Sequence, residues 1–131
     1  MHALLVEDDP DGNELITMVL QRCGARVTSV ATAAAALRAL DAEKPDVVIS
    51  DIGLPDVDGI ELIKQIRGLP CCEGLPAVAL TAYASRQDAV RVISAGFDAH
   101  VAKPVQPAVL GVEIARVLAR PSLKSAPPPA R

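Results

Sequence analysis

The stretch PDVVISDIGLPDVDGIELIKQIRG, residues 45–68, contains the change of periodicity on which the fold turns. Val47, Val48 and Ile49 form a short continuous apolar run that leads straight into Asp51, as a buried strand does. Gly53, Pro55 and the turn pair Asp58-Gly59 then mark a loop. Ile60, Ile63 and Ile66 recur at helical spacing, and the helix is expected to stop near Gly68. Strand, loop and helix together make one βα unit, with a carboxylate at the strand's end.

Working outward, the same unit recurs about five times, the pattern of a parallel sheet flanked by helices. ALLV at 3–6 precedes an acidic turn and Pro10, with Asp11 read as the helix N-cap. Leu15, Ile16, Val19, Leu20 and Cys23 follow at helical spacing, and Gly24 fits just past the helix end. Arg26–Val30 reads as a second strand, and Thr32 caps a helix through Leu37 and Leu40 that ends before Pro45. After a loop at 69–76, Ala77–Leu80 is a fourth strand ending at Thr81. Ser85 caps a helix bearing Ala89, Val92 and Ile93, closed by Gly96. A fifth strand near Ala99–Ala102 ends at Lys103-Pro104, and a last helix carries Leu110, Ile114, Val117 and Leu118. Residues 1–120 thus make one domain, and 121–131, ending SLKSAPPPAR, are expected to be a disordered proline-rich tail or linker stub.

Composition narrows the function. The 131 residues are 50% hydrophobic and carry 13 Lys+Arg against 16 Asp+Glu, a net charge of −3. That balance argues against a surface for nucleic acid, and one Phe with one Tyr provides no stacking platform for single-stranded bases. Charged residues interrupt every apolar run before membrane-spanning length, and MHALLVEDD is too soon acidic for a secretory signal, so a cytoplasmic chain is expected. Cys23, Cys71 and Cys72 fit no zinc spacing. Adjacency is a poor geometry for pairing Cys71 with Cys72, and the thiols read as incidental.

The polar residues are not scattered. Glu7, Asp8, Asp51, Thr81 and Lys103 each fall at the carboxyl end of a predicted strand, where open α/β sheets bind ligands. Two carboxylates about 4 Å apart repel by roughly 4 kcal/mol at an effective dielectric near 20. Three such groups need a cation or raised pKa values. Hard oxygen ligands on a hydrated edge suit Mg²⁺, and Lys103 is a mobile positive charge suited to a phosphoryl oxygen. With the Thr81 hydroxyl, these are the parts for phosphoryl transfer to Asp51 as nucleophile.

VEDD at 6–9, DIGLPDVDG at 51–59, LTA at 80–82 and AKP at 102–104 resemble the response-regulator receiver domain of two-component signalling, over about residues 3–119. The resemblance implies a flavodoxin-like (βα)5 three-layer α/β sandwich with a parallel sheet in the order 2-1-3-4-5. It implies Asp51 as phosphoacceptor, Glu7 and Asp8 as an acidic pair holding Mg²⁺, and the Gly53 carbonyl as a further ligand. Thr81, with Ala82 beside it, would bind the phosphoryl group, Lys103 would pair with its oxygens, and Pro104 is expected in cis. The implied partners are a histidine kinase or histidine phosphotransfer protein and an output partner on residues 85–119, with the chain a monomer or weak homodimer. Such a domain is a switch with self-catalysed phosphoryl uptake and hydrolysis rather than an enzyme.

Two positions depart from the usual pattern. His100 stands three residues before Lys103, where the family usually has Tyr or Phe, and is expected to take the part of the switch residue. Tyr83, two after Thr81, is expected to modulate phosphoryl lifetime. AGFDAHVAKPV resembles the receivers of hybrid sensor histidine kinases, so the chain reads as a stand-alone receiver or one cut from such a kinase. An aspartate-based phosphatase is the rival enzyme, but Asp51 is followed by Ile52 and Gly53 rather than by Asp-x-Asp spacing. A pseudo-receiver that never accepts phosphate would be expected to lack part of this set.

Overall fold

The computed structural model describes residues 1–82 and 85–119. Five βα units follow one another: β1 (His2–Val6), α1 (Pro10–Arg22), β2 (Arg26–Val30), α2 (Ala33–Ala42), β3 (Val47–Asp51), α3 (Gly59–Gly68), β4 (Ala77–Thr81), α4 (Arg86–Ala95), β5 (Ala99–Ala102) and α5 (Pro107–Ala119). The strands are all parallel, in the order β2-β1-β3-β4-β5. Right-handed crossovers, the near-universal choice for parallel strands, then divide the helices between the two faces. This is the flavodoxin-like fold expected from the sequence.

The strand alternation sorts the core into two halves. Leu4, Val6, Val48, Ala77 and Ala79 face α2, α3 and α4, and pack against Ala36, Leu40, Ile63, Ile66 and Val92. Ala3, Leu5, Val47, Ile49, Val78, Leu80, Ala99 and Val101 face α1 and α5, meeting Ile16, Leu20, Leu110, Ile114 and Val117. The order reverses between β1 and β3, so the strand ends around that point form a crevice.

Several local expectations are corrected. Asp9, not Asp11, caps α1: its carboxylate accepts the Gly12 N–H at 3.0 Å, and Pro10 takes the first helical position, where a missing N–H costs nothing. Leu15, Ile93 and Leu118 belong to the helical spacing yet are 51%, 45% and 37% exposed. A helix lying on a sheet buries only one stripe, and these three sit at its margin. Asp58 is more than a turn residue, since it caps α3 by accepting the Glu61 N–H at 2.9 Å. Asp56 accepts the N–H groups of Ala33 and Ala34 at 3.0 and 2.9 Å, tying the β3–α3 loop to the start of α2.

Arg67, at the end of α3, braces the opposite end of the sheet. Its guanidinium donates to the carbonyls of Gly96, Cys72 and Leu75 and meets Asp98 at 3.2 Å. The Asp98 carboxylate also accepts the Ala77 N–H, so one half-buried cation links α3, the start of β4 and the turn before β5. The proline-rich segment 121–131 lies outside the described residues.

Candidate functional site

Glu7 follows β1 directly and is 2% exposed. Its backbone is held from both sides: its N–H donates to the Val30 carbonyl at 3.0 Å, and the Asn13 amide donates to its own carbonyl at 3.0 Å. The first turn of α1 closes over its side chain so tightly that a Cβ on Gly12 would lie 2.8 Å from Glu7 Oε1. Asp51 ends β3 and is 8% exposed. The start of α3 is pressed against its backbone, and a Cβ on Gly59 would strike the Asp51 carbonyl oxygen and come within 2.8 Å of Ile52 Cα. Glycine at these two helix starts is therefore what lets the strand ends sit beneath the helices.

Lys103 completes the cluster from β5. Its N–H donates to the Thr81 carbonyl at 2.7 Å, and its ammonium donates to Glu7 Oε1 and Asp51 Oδ2, each at 2.9 Å. The other oxygen of Asp51 accepts the Gly53 N–H at 3.2 Å. The peptide bond between Lys103 and Pro104 is cis. Asp8 is exposed beside this group, and ligand oxygens of Glu7, Asp8 and Asp51 lie within 4.8 Å of one another.

Charge is distributed unequally in the cluster. Burial pushes the Glu7 carboxyl up, proximity to Asp51 adds to that, and Lys103 only partly opposes it, leaving Glu7 at about 7. Burial alone would raise Asp51 too, but the neighbouring Glu7 carboxyl, the Lys103 ammonium and the Gly53 N–H outweigh it and hold Asp51 below its ordinary value. For Lys103 burial is the opposing effect, and the two carboxylates reverse it, so the ammonium stays charged. Of the two carboxyls, Glu7 is thus the one that favours a proton and Asp51 the one that favours the ionised form.

Two buried atoms in this region lack a hydrogen-bond partner among the described residues: Glu7 Oε2 and Thr81 Oγ1. A free carboxylate oxygen within a triad of carboxylates fits a hard divalent cation, which supplies the charge that the lone ammonium does not. A free buried hydroxyl fits an incoming oxyanion. Beside them opens a cleft of about 290 Å³, lined by Asp51, Gly53, Thr81, Ala82, Asp88 and Arg91 among others.

The structure thus brings Glu7, Asp8, Asp51 and Lys103 together and sets Gly53, Thr81 and Ala82 around the cleft. His100 lies farther along β5, half-buried, paired in register with Ala79 and on the α4 side of the sheet. Tyr83 lies outside the described residues. Asp88, Arg91 and Val92 were not foreseen as cleft residues. They sit three and four apart on one face of α4, so helical periodicity carries that signal, but only the packing shows which way the face points. Arg91 approaches Asp58 at 3.8 Å, so it spans the cleft from α4 to the start of α3.

A family model described as the response regulator receiver domain matches residues 3–115. A 14.6 kDa protein of Leptolyngbya boryana is 44% identical over 107 residues, covering 82% of each chain. A putative response regulator from Chloroflexus aurantiacus superposes with a TM-score of 0.87 at 33% identity, covering 91% of this chain and 98% of that one. The receiver domain of sensor histidine kinase PA1611 from Pseudomonas aeruginosa, solved with magnesium coordinated in its active-site cleft, gives 0.84 at 33% identity, with the same 91% and 98% coverage. The chain spans about half the length of the Streptomyces coelicolor transcriptional regulatory proteins CseB and AfsQ1, to which it is 36% and 37% identical. No helix among the described residues is long and apolar enough to cross a membrane.

Proposed function

This chain belongs to the response regulator receiver family, a family of phosphorylation switches, and on that premise we propose that it takes a phosphoryl group from a phosphohistidine onto Asp51. One observation carries the assignment: the Lys103 ammonium bridges Glu7 and Asp51 inside a three-carboxylate cluster that opens on a cleft. The donor is a histidine kinase or histidine phosphotransfer protein. An Asp51 oxygen forms the new P–O bond as the P–N bond of the donor imidazole breaks, and the electron pair returns to the imidazole nitrogen. Lys103, already placed 2.9 Å from Asp51, follows the developing charge on the phosphoryl oxygens. Mg²⁺ held by Glu7, Asp8, Asp51 and the Gly53 carbonyl would supply the remaining charge neutralisation.

Signalling then depends on groups the unphosphorylated site leaves unused. The Thr81 hydroxyl, buried without a partner among the described residues, turns to a phosphoryl oxygen, and the adjoining Ala82 gives the group room. His100 answers from β5, and residues 85–119 carry the change to an output partner. Tyr83 modulates the lifetime of the phosphoryl group, which comparison of phospho-Asp51 decay in Tyr83→Ala would test. The chain works as a monomer or weak homodimer on the cytoplasmic side, with 1–120 as the receiver and 121–131 as tail or linker. AGFDAHVAKPV favours a receiver of the hybrid-kinase type, free-standing or within a longer chain.

Incubation with a small phosphodonor and Mg²⁺ tests the reading: an acid-stable, base-labile mass gain should appear and be lost in Asp51→Asn. Turnover of phosphomonoesters without the adduct supports an aspartate phosphatase instead, and no adduct at all supports a pseudo-receiver. His100→Phe tests the switch residue. If the phosphorylation-linked conformational shift and its pH profile are unchanged in that variant, His100 has no switching part.

A further inference from the structure

Far from the phosphoacceptor, at the amino ends of the strands, the loop between α3 and β4 carries Cys71 and Cys72 with their sulfurs only 2.8 Å apart. The two thiols differ sharply in surroundings: Cys71 is exposed and Cys72 is 0% exposed. We propose that this pair is a reversible peroxide-responsive dithiol, with Cys71 as the thiol attacked by the oxidant and Cys72 as the one that resolves it. The proposal is independent of the phosphoryl chemistry and uses none of its residues.

The roles follow from geometry. Peroxide reaches only the exposed sulfur, and the resolving sulfur already touches it, so ring closure needs no diffusive search. Burial, and then the contact with Cys71, pushes the Cys72 thiol up to about 11, so the buried thiol keeps its proton and the exposed Cys71 is left to meet the oxidant. In the first step the Cys71 thiolate attacks one peroxide oxygen, the O–O bond breaks, and the departing hydroxide takes up a proton to become water. Cys71 is then a sulfenic acid. In the second, Cys72 sulfur attacks Cys71 sulfur, the S–O bond breaks, and a second water leaves with the Cys72 proton. Two thiols and one peroxide give one disulfide and two waters, the sulfurs losing two electrons and the peroxide gaining them.

Adjacency is what makes such a bond temporary. Neighbouring α-carbons are about 3.8 Å apart, below the roughly 4.4–6.8 Å of ordinary disulfides, so the closed ring is strained and easily reduced by a dithiol. Its closure has a structural listener as well, because the Cys72 carbonyl accepts a hydrogen bond from Arg67 at 3.1 Å. Closing the ring reorients the Cys72 backbone beside it, and so draws on the guanidinium that also holds Leu75, Gly96 and Asp98.

Cys23 is exposed on a different element and serves as the control thiol in the same molecule. The reduced full chain is treated with hydrogen peroxide, alkylated after denaturation and digested with trypsin. Peptide 68–86 carries both cysteines of the pair and 23–26 carries the control. Cys71 and Cys72 should lose alkylation together, with the peptide lighter by two hydrogens and restored by dithiothreitol, while Cys23 remains alkylated. In Cys71→Ser, a surface change, Cys72 should stay a free thiol under the same treatment. Three results overturn the proposal: oxidation of Cys23 at the same rate, Cys71 carried to sulfinic acid beside a free Cys72, or loss of the thiols only into disulfides between chains.

Discussion

Glu7→Gln in the metal-free protein tests the arrangement of charge at the site most directly. The native Glu7 carboxyl holds its proton to about pH 7, whereas an ordinary glutamate holds it to 4.5. Between those values the folded protein binds more protons than the unfolded chain, so stability is complete below about pH 4.5 and declines as pH rises through 7. The difference of 2.5 pH units, 7 minus 4.5, sets a ceiling of about 3 kcal/mol at ~1.36 kcal/mol per unit. Coulomb repulsion gives the same order: carboxylate oxygens within 4.8 Å repel by about 3 kcal/mol at an effective dielectric near 20. Lys103, 2.9 Å from both, offsets part of this, so about 2 kcal/mol is expected. Glutamine keeps an acceptor for Lys103 without the charge. Urea denaturation with a chelator present, at intervals from pH 5 to 8, should show the wild type losing stability and the variant flat, with the variant more stable at pH 8. By Tm the gap is roughly 8 °C. Asp51, held below its ordinary 3.8, and Lys103, raised above 10.5, titrate outside this range. Parallel curves across the range would mean that Glu7 is ionised at neutrality, and the charge argument fails.

Other perturbations probe other joints of the fold. Arg67→Ala leaves Asp98 and three carbonyls without their cation and should cost about 3–5 kcal/mol in urea denaturation, with Arg67→Lys recovering only part because an ammonium cannot span the fork. Gly59→Ala forces α3 away from the end of β3 and should cost about 1–3 kcal/mol while slowing phosphoryl uptake from a small phosphodonor, since the carbonyl displaced is that of Asp51 itself. The Thr81 hydroxyl has no hydrogen-bond partner among the described residues, so the stability of Thr81→Ala should stay within about 1 kcal/mol of wild type. Phosphorylation of that variant should no longer produce the conformational shift, followed by amide chemical shifts in α4 and β5.

Much of the fold is local information. β1, β3 and β4 are runs of largely apolar residues with a polar one at or just past the end, and Gly24, Gly68 and Gly96 stop helices where left-handed or unencumbered backbone is needed, Gly24 and Gly96 with φ of 87° and 134°. Where local signals compete, tertiary placement arbitrates. Asp9 and Asp11 both suit a helix cap, and the position of Pro10 between them selects Asp9. Arg67 carries no mark in the sequence, because its partners are four backbone and side-chain oxygens from segments up to 31 residues away. Cys71 and Cys72 likewise read as incidental until their sulfurs are placed, since the chain's neighbouring residues only sometimes turn their side chains together.

The amino-acid order by itself determines that Glu7, Asp8, Asp51, Thr81 and Lys103 end strands, and hence that they share one edge of a parallel sheet. It does so because apolar periodicity and the rules of βα connection are short-range. What only the tertiary structure decides is the division of labour on that edge: that a single ammonium spans Glu7 and Asp51, that Glu7 is pushed toward its protonated form and Asp51 toward its ionised one, and that the Thr81 hydroxyl has no partner among the described residues. Those outcomes rest on burial and on separations of a few ångströms between residues up to 96 apart in the chain, and electrostatic energies change by whole kilocalories over such distances.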